Sequence, residues 1–263
     1  MLLAIDTTRE YATIALGDES GLVDQISWKA GQRLSMELLP KIRDLLGKNK
    51  IRKTGTSLFG KAAGSRLLSC LDILVVTGPG SFTGNRIGVA TANALAYAWN
   101  VPVVGVTAFE LYEEAANIGR RETVVVLENI HDLVYASIMP QSDNVTGHSP
   151  SSPRLRRARA QLSSTDNLEK EYFVGTVGDL SKKIVHTNQK FIGEINDDLK
   201  KKILKAFGKV EVANIDLEKS DRAKILLRSG KKIFEKLGSK KFVLPVSVLY
   251  ISKPNITIKA KHK

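Results

Sequence analysis

The chain has 263 residues, 43% of them hydrophobic, and a formal net charge of +13, which is enough apolar material for one large domain or two smaller lobes around a core. No apolar run approaches the roughly 18 residues a spanning helix needs, and the opening MLLAIDTT has no basic leader and turns polar after five residues. Cys70 is the single cysteine, which excludes a disulfide framework and a thiolate metal site, so a cytoplasmic protein is expected.

In chain order, Leu2–Asp6, Tyr11–Leu16 and Leu22–Trp28 read as strands separated by turn residues. In GQRLSMELLPKIRDLLG the apolar residues Leu34, Leu38, Leu39, Ile42, Leu45 and Leu46 keep helical spacing, with Pro40 inside the pattern as a kink or a start. Residues 51–69 are basic and give at most a weak helical signal. Asp72–Thr77 is a buried-type strand, TGPGSFTG a turn, and the following helix runs to about Ala98. Val101–Val106 is a strand and Ala108–Asn117 a helix. Thr123–Leu127 and Val134–Met139 form a strand pair that opens a second lobe. Residues 141–167, rich in Ser, Asn and Pro and containing RLRRARA, read as a long surface insertion. Two strand-then-helix units follow near Tyr172–Val185 and Lys190–Phe207, then an amphipathic helix over 216–237 and a basic tail over 238–263. The fold class is α/β. Its division is a first lobe over 1–107, completed by the helix near 216–237, and a second lobe over 108–215.

The glycine-rich turn poses a choice between holding a phosphate and letting helices touch. The Walker pattern fails because Asn85, not lysine, follows Gly84. The dinucleotide fingerprint fails because Gly78, Gly80 and Gly84 are spaced G-x-G-x-x-x-G, outside the first strand–helix unit. Gly84, Gly88 and Ala92 stand four apart, so they share one helical face smooth enough for close approach. That face fits packing on the chain's own sheet or contact with another subunit.

Other chemistry is sparse. The four histidines have no ligand spacing and no G-x-S-x-G elbow occurs, so neither a metal site nor a serine nucleophile is expected. Asp6, Thr7 and Thr8 stand at a strand-to-turn junction, where an acid either caps the turn or holds a metal or phosphate-bound water. The net charge concentrates late: +4 over residues 1–100, −3 over 101–200 and +12 over 201–263. A basic face of that kind attracts polyanions, nucleic acid first, or simply solvates the surface.

The segments AIDTT, LLPKIRDLL, VTGPGSFTGNRIGVATANALA and VPVVGVTAFE, in this order and at these intervals, resemble the bacterial TsaB (YeaZ) family of tRNA threonylcarbamoyladenosine biosynthesis proteins. The resemblance is close over residues 1–110 and looser afterwards. VVVLENIHDLVYAS resembles the family's second-lobe strand pair and SVLYISKPNIT its C-terminal tyrosine motif. The resemblance implies an ASKHA (actin-like ATPase) fold, two lobes of ribonuclease-H-like topology. It implies a non-catalytic paralogue of TsaD that acts by heterodimerising with it through first-lobe helices. TsaE, an ATPase, joins them, and tRNA is reached through the complex, with a homodimer possible when the chain is alone. No catalytic residue, metal or cofactor of its own is implied; metal and nucleotide belong to TsaD and TsaE.

On this reading the partner interface comprises Gly84, Arg86, Gly88, Ala92, Leu38 and Ile42. A vestigial nucleotide or phosphate site would comprise Asp6, Thr7, Thr8, Gly78 and Gly80. Contacts to tRNA would come from Arg154, Arg156, Arg157, Lys231 and Lys232. The chain departs from the family where Leu34 replaces a common histidine. It departs again where Leu127–Tyr135 loses the Asp, Arg and Glu of the I-D-A-R-x-x-E-V-Y pattern. The competing readings are a stand-alone ASKHA-type ATP-dependent transferase or kinase, a glycoprotease-like enzyme, and a general RNA-binding protein; no RNP or KH pattern supports the last.

Overall fold

The computed structural model describes residues 1–52, 66–67, 71–117, 123–128, 132–138, 171–184, 189–217, 221–237 and 245–251. Strands β1 (Leu2–Asp6), β2 (Tyr11–Asp18), β3 (Gly21–Lys29), β6 (Asp72–Val76) and β7 (Val103–Val106) form one sheet in the order β3-β2-β1-β6-β7. The first three are antiparallel, and β6 and β7 run parallel to β1. Strands β8 (Thr123–Glu128), β9 (Val134–Ile138), β10 (Glu171–Gly175), β11 (Lys190–Glu194) and β12 (Glu211–Asn214) form a second sheet, β10-β9-β8-β11-β12, with the same pattern of directions. The topology is thus ribonuclease-H-like twice over. Two short strands, β4 (Ile51–Arg52) and β5 (Arg66–Leu67), pair by themselves. Strand β12, EVAN, adds an element that the sequence pattern did not announce.

Among the described residues, six α-helices join these strands: α1 (Leu34–Lys48), α2 (Phe82–Trp99), α3 (Ala108–Ala116), α4 (Val177–Lys183), α5 (Asp197–Phe207) and α6 (Arg222–Leu237). Their ends carry the chemistry of caps. Ser81 accepts from the Gly84 amide, Thr107 and Glu110 close a reciprocal capping box, and Asn100 and Asn117 end α2 and α3 in the left-handed conformation. Pro40 lies within α1, which continues through it.

The period-2 pattern of the central strands builds five layers. In β1, Leu3 and Ile5 face a core shared with α1 and α2, while Leu2 and Ala4 face a second core shared with α3 and α6. Strand β6 divides likewise, Ile73 and Val75 one way and Leu74 and Val76 the other. In β8, Val125 and Leu127 join the same second core from the far side, and Val124 and Val126 face a third core with α4 and α5. Strands buried on both faces must be apolar at every position, which is why they read as continuous runs. Helices α3 and α6 therefore fill the layer between the sheets. Helix α6 packs on β1, β2 and β3 of the first sheet and α3 on β8 and β11 of the second, and the two touch each other.

Helix α2 sits against the turn leaving β1. Thr7 Oγ1 donates to the Gly84 carbonyl at 2.7 Å, and the Ser81 amide donates to the Thr8 carbonyl at 2.8 Å. A Cβ at Gly80 would strike the Thr8 carbonyl oxygen, one at Gly84 the Thr7 carbonyl oxygen, and one at Gly88 the Thr7 hydroxyl. The glycines make room for this chain's own backbone.

On the other side of the lobe, Asp24 of β3 accepts from Lys48 at 2.9 Å and from Asn49 at 3.0 Å. Both donors sit at the end of α1, and the Lys48 bond, then the Asn49 bond, hold the Asp24 carboxyl below its ordinary 3.8. A carboxylate with a lowered pKa contributes stability above its unfolded-state pKa and loses it as pH falls through the folded-state value. Asp24→Asn should therefore lower the unfolding free energy at neutral pH by less than about 1 kcal/mol. In urea titrations across pH, that difference should close below pH 3.8. Gly84→Ala and Gly88→Leu should each lower stability by about 1–3 kcal/mol through overpacking. Thermal and urea unfolding of the isolated chain check this; unchanged midpoints would mean the seam has room to spare.

Candidate functional site

The residues singled out in the sequence divide into two places. Asp6, Thr7, Thr8, Gly78 and Gly80 do gather, at the end of β1 and the start of α2. Asp6 is fully buried, and its Oδ1 accepts from the Thr8 amide at 2.9 Å and the Thr8 hydroxyl at 2.8 Å. Its Oδ2 accepts from Arg222, the first residue of α6, through Nε at 3.0 Å and Nη2 at 2.6 Å. The Thr7 hydroxyl is turned to Gly84, and the Gly78 carbonyl accepts from the Ala108 amide at 2.8 Å. Each side chain that would hold a phosphate or a metal-bound water is engaged with another part of the chain, so these residues do not fit a nucleotide site. Among the described residues there is also no cluster of three His, Cys, Asp or Glu that could hold a metal ion.

Around this turn the charges balance. Arg9 Nη1 lies 2.8 Å from Glu194 Oε2 of the second lobe, so two arginines, Arg9 and Arg222, face two acids, Asp6 and Glu194. Tyr112 of α3 sits beside all four, and burial pushes its hydroxyl up to about 12, which keeps it neutral. Neither Arg222 nor Glu194 was visible as a partner in the sequence, because 216 residues separate Arg222 from Asp6. A basic residue opening a helix that must return to the first sheet was the one available signal.

The expected partner interface needs correcting. Gly84, Gly88 and Ala92 are buried, and so are Leu38 and Ile42. The small-residue stripe is spent on the β1 turn and the two leucine-type positions on the first core, so of the six only Arg86 reaches the surface. The outward face of α2 is the opposite one: Arg86, Ala90, Ala94 and Ala98 at successive fourth positions, with Tyr97 86% exposed. On α1, which packs against α2, Met36 is 73% and Leu39 53% exposed. These are large apolar side chains left exposed on the outer helices of the first lobe.

Arg86 closes one end of that face. Its guanidinium lies 3.9 Å from the centre of the Phe82 ring and 5.7 Å from that of Tyr250, and its Nε donates to the Tyr250 hydroxyl at 2.8 Å. Stacking and the hydrogen bond hold the fork in one orientation. Tyr250 belongs to the SVLYISKPNIT motif, so the end of the chain is brought to the glycine-motif helix.

For the basic residues the picture is mixed. Arg154, Arg156 and Arg157 lie outside the described residues. Lys231 and Lys232 are exposed on α6, but Lys232 bonds both carboxylate oxygens of Glu114, at 2.8 and 2.7 Å, and Arg228 pairs with the same acid. On α5, Lys202 pairs with Asp132 and Asp198, which push its ammonium pKa above the ordinary value.

Comparison with known proteins finds similarity to two descriptions, both of tRNA threonylcarbamoyladenosine chemistry. Residues 60–151 match the TsaD family, described as tRNA N6-adenosine threonylcarbamoyltransferase. The tRNA threonylcarbamoyladenosine biosynthesis protein TsaB of Escherichia coli (strain K12) is 33% identical over 106 residues, 40% of this chain and 39% of that protein. TsaB of Bacillus subtilis (strain 168) is 29% identical over 109 residues, 41% and 42% of the two chains. The match thus spans about two-fifths of the length of these curated relatives. The solved structure of YeaZ from Pseudomonas aeruginosa, 20% identical, superposes with a TM-score of 0.57 over 93% of this chain and 98% of its own. The fold is ASKHA-like, and in sequence the chain is similar to the TsaB proteins over about two-fifths of its length.

Proposed function

We propose that this chain is a non-catalytic scaffold and activator in the synthesis of threonylcarbamoyladenosine next to the tRNA anticodon, working as a heterodimer with TsaD that TsaE joins. The observation that carries this reading is the outward face of α1 and α2, where Met36, Leu39, Ala90, Ala94 and Tyr97 stand exposed on the lobe whose helices the family uses for pairing. Alanines at i, i+4 and i+8 let a partner helix come close, and Tyr97 and Leu39 supply area to bury.

The similarity of residues 60–151 to a transferase family favours a second reading, a stand-alone ATP-dependent enzyme. The engagement of Asp6 by Arg222 and Thr8 weighs against it, because the acid that would handle a cation or its water is already satisfied. Metal and nucleotide are then the partners' contribution. Exposed lysines such as Lys231 would meet tRNA phosphates by charge, without reading bases.

The test is capture of TsaD from the same organism, followed by tRNA modification with and without this chain. Tyr97→Ala should weaken capture about thirty-fold, as for an interface anchor worth about 2 kcal/mol. Ala94→Glu should abolish it, and neither variant should shift the melting midpoint of the chain alone. Modification should fall in proportion to capture. Normal capture by both variants would move the interface elsewhere, and turnover by the wild-type chain without TsaD would favour the enzyme.

A further inference from the structure

We infer that Arg222 is a tethered cation: it sits on Asp6 in place of a divalent ion and turns the end of β1 from an ion-binding turn into a clasp that holds α6. Asp6 has no exposed surface and Arg222 is 8% exposed, so water does not stabilise either charge and each needs the other. The contact uses two guanidinium nitrogens on a single carboxylate oxygen, Oδ2, while Oδ1 is taken by the Thr8 amide and hydroxyl. Both carboxylate oxygens are thereby spoken for.

Electrostatics closes the same door. With Arg9 on Glu194 and Arg222 on Asp6, the cluster is neutral, and Tyr112 beside it stays protonated. An added divalent cation would leave two uncompensated positive charges beside the buried Asp6. The Asp-Thr-Thr turn still has the parts of a cation site, namely a carboxylate and two hydroxyls on consecutive residues. What excludes an ion is one side chain arriving from 216 residues away.

Removing that side chain should therefore uncover the site. The experiment follows thermal unfolding of the full chain as wild type, Asp6→Asn, Arg222→Ala, and the double variant Asp6→Asn with Arg222→Ala, each in millimolar MnCl2 and in EDTA. The wild type should melt at the same temperature in both. Arg222→Ala should melt lower in EDTA and recover several degrees in Mn2+, since a ligand that binds only the folded state raises its stability. The double variant should show no Mn2+ response. If Arg222→Ala is too unstable to purify folded, its refolding yield from urea in Mn2+ against EDTA is the readout, with the same expectation for the double variant. Two results would overturn the inference. One is a wild-type response to Mn2+ that Asp6→Asn removes, which would make the turn an open ion site. The other is an Arg222→Ala variant whose melting or refolding is indifferent to Mn2+.

Discussion

The structure turns on the ion pair between Asp6 and Arg222. Asp6 ends the central strand of the first sheet, and Arg222 begins the helix that covers the inner face of that sheet. An isolated carboxylate or guanidinium at this depth is costly enough that removing either partner is more disruptive than the net worth of the pair suggests. The pair therefore specifies position more than it adds stability. It fixes where α6 starts, and α6 fixes the layer between the lobes. Arg9 and Glu194 add a second pair near the same turn, a more exposed one that reaches the second sheet.

Helix α2 shows how one segment serves two neighbours. Its inward face is Gly84, Gly88 and Ala92 because the Thr7 and Thr8 backbone comes too close for side chains. On its outward face Ala90, Ala94 and Ala98 are exposed. Both faces carry small residues at fourfold spacing, and periodicity alone cannot tell them apart. Glycine costs a mid-helix position about 1 kcal/mol relative to alanine, so it appears where a methyl group has no room. Alanine suffices where the neighbour is a side chain surface.

That distinction explains what was legible in the sequence. The element order was, because strands buried on both faces leave strong local patterns, as in LLAID, DILVV and TVVVLE. The short strand β12 escaped, since EVAN is half-exposed at an edge and too brief to show a period. Asp6, Thr7, Thr8, Gly78 and Gly80 were recognisable as a group, yet their role was not, because the residue that satisfies Asp6 comes from another element. Leu38, Ile42, Gly84, Gly88 and Ala92, read from the sequence as interface residues, are buried within the chain, because periodicity does not say which neighbour a helical face meets. Tyr250 was visible as part of a motif, but its bond to Arg86, 164 residues away, was not.

The order of layers has a consequence for how the chain is made. The inner face of the first sheet, with Leu2, Ala4, Leu74 and Val76, is covered by α6, and Gly230 of α6 lies directly on Leu2. More than 140 residues separate the end of β6 from the start of α6. At ribosomal speeds of about 5–20 residues per second, that apolar face waits on the order of ten seconds for its lid while the whole second lobe emerges. The first lobe to be synthesised is thus the last to be closed. Folding is a joint event of both lobes, and the nascent first sheet spends that interval as a surface that chaperones, and not only the eventual partner, are suited to hold.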